Sequence, residues 1–448
     1  MSAPTTQTPP PPGGAGAQQP PASARARLWE GRRLELNAAA LMATTVLTAA
    51  VGLLYWAVAA RSADATIVGL ASAEVSAIML VSALCQFNLA NLFAAMLPKA
   101  GRHARTVVVR GYAATLSASL IAALGFVATP LPDAYLSGAA SRALFVVAVV
   151  ATTLFVVQDA VLTGLRRAVY LPVENVGASA LRLAFVAGVG MVTLTPAEHV
   201  RAMVAAWLVP MIVASVVVNT YLFRVLLPAH VARHGEAGEI PAPAALARHA
   251  ASETVNGLVA NLVPLLLPLL VLHQLGAEAN ARFYLPLILN SALITITVNV
   301  ATSFIVEATT FRDRADALLR RAARLAVAVG LAGAAGEALI GPFLLGMLGP
   351  EYAREGRVVL WVLAAGVPMN VVTVLFASIC RVEQATVRLA VVQLTTGVAM
   401  VAGVHVLSGR YGLIGAPLGY VAAQVACALV VAPVVVRRLI RSKGNTHG

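Results

Sequence analysis

Apolar stretches of about twenty residues recur from Leu36 almost to the end of the chain, and nothing else in the sequence limits the fold as strongly. Each is long enough to cross a hydrocarbon core roughly 30 Å thick. Inside such a core every backbone N–H and C=O must find a partner within the protein, which makes these segments helices. The spans fall near 36–60, 66–97, 106–128, 142–165, 169–194, 200–227, 250–273, 282–310, 320–347, 357–380, 386–407 and 412–436. Composition agrees, because only 11% of the 448 residues are charged and 59% are hydrophobic. A soluble chain of this length carries about 25% charged residues. The expected fold class is an all-α polytopic membrane protein with about 12 transmembrane helices.

A net charge of +13 raises the question of nucleic acid. The placement of the basic residues answers it. Of 32 Lys and Arg, 24 fall in alternate loops, seven in the intervening loops and one, Arg182, within a span. That asymmetry follows the positive-inside rule and puts both termini in the cytoplasm. Topology therefore accounts for the charge, and no nucleic-acid partner is expected. Cys85, Cys380 and Cys427 all lie in spans without metal-like spacing and read as small apolar fillers. The eight histidines show no ligand-like pairing, so no metal is expected.

Residues 1–35, rich in Pro, Gly and Gln, read as a disordered cytoplasmic tail. A first lobe spans 36–228, a polar Pro-broken linker 229–249, a second lobe 250–438 and a short cytoplasmic tail 439–448. A weak internal echo supports this division: "VLTGLRRAVY" is followed about 215 residues later by "FASICRVEQA". Two parallel six-helix lobes would place a substrate site between them. The outer loops are short and their carboxylates isolated, which argues against a membrane enzyme such as a glycan polymerase.

Charged groups inside spans are costly, so they mark functional positions. Arg182 sits near the middle of the fifth span, and its planar fork suits a phosphate or carboxylate. The competing reading is a structural pair with Asp159 on the preceding span. On the seventh span Glu253, Asn256, Gly257, Asn261, Pro264 and Pro268 recur at helical steps and form one polar stripe. The eighth adds Thr295, Asn299, Ser303 and Glu307, and the first Asn37, Thr48 and Gly52. Singly, such residues more often tie helices together. As a set they predict a wet cavity, with Arg182, Asn256, Asn261, Asn299, Asn37 and Thr48 binding substrate. Asp159, Glu253 and Glu307 are the candidates for ion coupling, with a simple interfacial carboxylate as the rival reading. Glu74 and Glu337 lie nearer the outer face.

The stretch 344–393, with Gly349, Pro350, Glu351 and Tyr352 in a loop followed by Pro368 and Arg381, resembles a known family. So does "RYGLIGAPLGYVAAQ", with Gly412, Gly415, Gly419 and Gln424. The family is the polysaccharide-transport branch of the multidrug/oligosaccharidyl-lipid/polysaccharide (MOP) exporter superfamily, and the resemblance covers most of 36–438. It implies two six-helix lobes in a V that opens alternately to each side, in a bacterial plasma membrane. It also implies export of a lipid-linked oligosaccharide, a polysaccharide precursor. Alternatives within the superfamily are an ion-coupled drug antiporter and a lipid II flippase. No cofactor is implied beyond a coupling proton or Na+. Implied partners are the lipid-linked glycan, membrane lipids and the glycosyltransferase or polymerase machinery of the same pathway.

Overall fold

The computed structural model describes residues 50–86, 89–167, 170–234, 262–310, 315–350 and 352–444. All are helical or in short connections, and all belong to one compact unit, 42–448. In chain order the helices are α1 (50–62), α2 (Ala65–Cys85), α3 (Leu89–Met96), α4 (Ala104–Val127), α5 (Gly138–Gly164), α6 (Leu171–Val189) and α7 (Pro196–Tyr221). They continue with α8 (Leu227–His234), α9 (Leu262–Leu275), α10 (Ala277–Thr310), α11 (Ala315–Gly346), α12 (Arg357–Val382), α13 (Thr386–Tyr411) and α14 (Gly415–Gly444). Among the described residues eight helical segments are long and apolar enough to cross a membrane. The protein is a multi-pass membrane protein. Residues 1–49 and 235–261, which include Asn37, Thr48, Glu253, Asn256 and Asn261, lie outside the described residues, as does the Glu307 side chain.

Local sequence explains where the helices begin and end. At the start of α7 the Thr195 hydroxyl lies 2.6 Å from Glu198, whose carboxylate also accepts from the Thr195 N–H. This reciprocal cap, with Pro196 in the first turn, opens the helix sharply. The expected second span, 66–97, is broken: α2 stops at Cys85, Gln86 caps it, and α3 follows as a separate short helix. In the other direction α7 runs past its expected end through a π turn, Leu222–Leu226, into α8.

The α5–α6 and α12–α13 turns share one geometry. Arg166 (φ 58°) and Gln384 (φ 57°) are the only non-glycine residues with positive φ among those described. In each turn the following N–H bonds five residues back, Arg167 to Leu162 and Ala385 to Cys380. This is the closing bond of a Schellman-type helix end. The faint sequence echo therefore has a backbone counterpart.

The helices pack in two sets. In one, α2 lies among α4, α5 and α7, and α6 packs on α7; in the other, α10, α11, α12 and α14 pack together and α13 lies on α14. The sets meet where α2 packs on α10. Ile121, Leu331 and Leu339 are exposed apolar side chains, as a lipid-facing surface requires.

Candidate functional site

Call the end of the bundle where α1 finishes and α2 and α10 begin the distal end. There the two sets are sewn together. Asn280 of α10 donates to the Gly69 carbonyl at 2.8 Å and to the Ser72 hydroxyl at 3.2 Å. Arg61 donates from Nε to the Met347 carbonyl at 2.7 Å. Trp56 meets Tyr284 edge-on, with ring centroids 5.0 Å apart. The backbones approach so closely that a Cβ on Gly69 would lie 1.8 Å from the Ala277 oxygen. These hydrogen bonds from Asn280 and Arg61 join the sets at one distal seam. Next to it a cavity of about 250 Å³ opens between α1 and α10, lined by Gly52, Trp56, Ile288, Ser291, Ala292 and Thr295. Gly52 and Thr295 belong to the polar faces expected from sequence. No described residue of α9 lines this cavity; the first span meets the eighth there.

Arg182 lies on the inner face of α6, in line with the buried residues Glu174, Ala178 and Val186. Its Nε donates to the Trp207 carbonyl of α7 at 3.1 Å, and its Cζ stands 4.8 Å above the Trp207 ring. Three residues on, Pro210 offers no N–H, which removes one donor from this stretch of α7. Two nearby carbonyls of α7 also accept from side chains: Trp207 from Arg182, and Met203 from the buried Tyr55 hydroxyl at 2.6 Å. Tyr55 is within electrostatic reach of Arg182 and packs on Trp56, with centroids 5.2 Å apart. The cation thus stands one aromatic pair away from the cavity between the sets.

No carboxylate pairs with Arg182 among the described residues. The anticipated alternative, a pair with Asp159, is not formed. Asp159 instead accepts from Asn175 at 3.5 Å, and its Oδ1 is buried without a partner. Beside it runs a relay through four helices. Tyr112 of α4 donates to Asn219 of α7 at 2.8 Å; Asn219 donates to Gln158 of α5, and Gln158 donates to Glu174 of α6. Gln158 is fully buried, and the second Glu174 oxygen, Oε2, has no partner. The π turn begins three residues after Asn219, where helices often deform at functional sites.

Sequence reasoning singled out Arg182 and Asp159 and missed Glu174, Gln158, Asn219, Tyr112 and Trp207. The adjacent polar pairs Gln158–Asp159 and Glu174–Asn175, each inside an apolar run, were the available signal. Asn299 is half-buried on α10 and does not line the cavity.

The motif residues have structural tasks. Tyr352, 1% exposed, opens a π turn, Tyr352–Gly356, and Glu355 in that turn pairs with Arg282 of α10 at 2.6 Å. Arg282 also holds Glu278. Gly415 and Gly419 let α14 press against α13: a Cβ on Gly419 would lie 2.2 Å from the Gly403 carbonyl carbon. Small residues allow such contacts in membranes, where helix association depends on close packing.

No family model matches the chain, and no curated protein matches it. Solved structures do. The lipid II flippase MurJ in an inward closed conformation superposes with a TM-score of 0.68 at 10% identity, covering 90% of both chains. An inward-facing multidrug resistance MATE transporter of the MOP superfamily gives 0.66 at 16% identity, covering 90% of this chain and 96% of that one. A MOP superfamily transporter from Pyrococcus furiosus gives 0.58 at 16% identity, covering 91% and 96%. The chain has the MOP transporter fold.

Proposed function

We propose that this protein is a MOP exporter that moves a lipid-linked oligosaccharide across a bacterial plasma membrane by alternating access. One observation carries the reading: a guanidinium midway along α6, inside an apolar run that the sequence reads as a span, with no carboxylate pair among the described residues. A charge there is costly unless it serves a cavity or a partner. Arginine binds phosphate oxygens through two parallel N–H donors, so the diphosphate of a lipid carrier is a suitable ligand. The carrier's hydrocarbon tail would stay in the bilayer while the polar headgroup crosses between the two helix sets.

In this reading the shut distal seam defines a state open toward the cytoplasm, with both termini on that side. Likeness to an inward-facing neighbour is consistent with it. Asp159, Glu253 and Glu307 are the proposed coupling carboxylates for a proton or Na+, and Asp159 has the buried, unpartnered oxygen that such a site needs. Asn256, Asn261, Asn299, Asn37 and Thr48 are proposed sugar-binding positions. The glycosyltransferases and polymerase of the glycan pathway are the proposed partners.

The test is reconstitution in vesicles loaded with a defined lipid-linked oligosaccharide, with headgroup appearance on the far side as the readout. Transport by the parent, with Arg182→Ala inserted and stable but inactive, is the expected result. Ethidium efflux without headgroup transfer would point to the drug-antiporter alternative instead. Recovery of a misfolded Arg182→Ala by a second change, Asp159→Ala, would make the arginine structural.

A further inference from the structure

We infer that Trp207 is the positioning residue for Arg182: it occupies one edge and one face of the guanidinium, so that a ligand meets only the two terminal amino groups. A group held in this way selects an anion that offers two oxygens at once, such as a phosphate. The inference rests on the exporter reading above and assigns a specificity role to a residue that reading does not use. One residue engages the cation twice. The Trp207 carbonyl accepts from Nε at 3.1 Å, and the indole of the same residue lies 4.8 Å from Cζ. Together the two contacts fix both the tilt and the rotation of a planar group.

A guanidinium can grip two oxygens from its side, through Nε and one Nη, or from its end, through both Nη atoms. With Nε given to the Trp207 carbonyl, the end remains. Among the described residues neither Nη1 nor Nη2 has a hydrogen-bond partner, and neither is sealed from water. The side chain is accordingly half-buried. The carboxylates of the neighbouring polar relay are engaged elsewhere, Asp159 with Asn175 and Glu174 with Gln158.

An aromatic partner in place of an acidic one has a physical consequence. A carboxylate would neutralise the arginine and compete with an incoming phosphate. An indole face offsets part of the lost hydration and leaves the full positive charge. Trp207 is itself held. It is buried on α7, and one turn earlier the Met203 carbonyl accepts from the Tyr55 hydroxyl at 2.6 Å. Tyr55 stands edge-on to Trp56, and Trp56 to Tyr284 of the other helix set. Trp56 lines the cavity between the sets, so this row of rings joins the platform to it.

Two measurements on the full-length protein in detergent test this. In the first, Trp29→Phe, Trp56→Phe and Trp361→Phe leave Trp207 as the one indole. Farnesyl diphosphate should shift its emission saturably, because the anion screens the cation over the ring, and farnesol should not. Inorganic pyrophosphate should give the same shift with weaker affinity. In the second, calorimetric titration with farnesyl diphosphate compares side chains in the otherwise native chain. Trp207→Leu should bind about tenfold more weakly, and Trp207→Phe, which keeps a ring face, within about threefold of the parent. Arg182→Lys, which keeps the charge and loses the fork, should also lose at least about tenfold. In an Arg182→Ala background Trp207→Leu should cost nothing further, since its effect passes through the arginine. Equal losses in both backgrounds, native affinity in Trp207→Leu, or the same shift with farnesol overturns the inference. Pyrophosphate that binds as tightly as farnesyl diphosphate fails the exporter reading and leaves the inference standing; a parent that binds neither fails both.

Discussion

Helices α6 and α13 follow the same turn and part company in chemistry. Eight residues after Arg166 stands Glu174, and sixteen after it Arg182; at the same steps after Gln384 stand Val392 and Met400. Twenty residues on, both helices place a fully buried valine, Val186 and Val404. Val392 and Met400 pack against apolar clusters, whereas Glu174 and Arg182 bond to Gln158 and Trp207. α13 is instead held by glycine contacts with α14. One backbone plan thus supports a polar, charge-bearing face in the first helix set and a dry, closely packed one in the second. The difference teaches that the turn and helix register set the scaffold, while a few side chains on one face decide whether that face is polar or dry.

The comparison can be broken most severely by making the first face copy the second. Arg182→Met is expected to lower headgroup transport at least about a hundredfold while leaving insertion intact, the scale of removing a desolvated charged contact. Initial rates in vesicles would measure it, and unimpaired transport would refute the division of labour. Next comes the dry side: Gly419→Ala forces a methyl into the Gly403 backbone and should cost about 1–3 kcal/mol of stability, read as a lower thermal midpoint in detergent. Gln158→Ala removes the donor to Glu174 and one of the acceptors of Asn219, and should cost about 1–2 kcal/mol, with the same readout. The smallest effect is expected from Arg388→Ala, at the start of α13. Its contact with Glu383 is largely exposed, so a change under about 1 kcal/mol should be measured.

Much of the scaffold could be read from residues alone. Each expected span has a helix among the described residues, because the thickness of a bilayer dictates the length of an apolar run. Helix ends were less legible. Neither the break after Cys85 nor the π turn Leu222–Leu226 contains a glycine or proline that would announce it. Arg182 stood out because a guanidinium within hydrocarbon is rare. Gln158 and Asn219 did not, because an amide in a span is ordinary until its partner on another helix is known.

The linear chain, then, determined that this protein crosses the membrane many times and that Arg182 interrupts an apolar run; both follow from where apolar and charged residues fall along the sequence. Only the tertiary structure decided that Arg182 would meet Trp207 rather than Asp159, that Gln158 would link three helices, and that Gly69 would touch Ala277. Those outcomes rest on contacts between residues far apart in sequence, where packing geometry rather than solvation chooses among partners of similar chemistry.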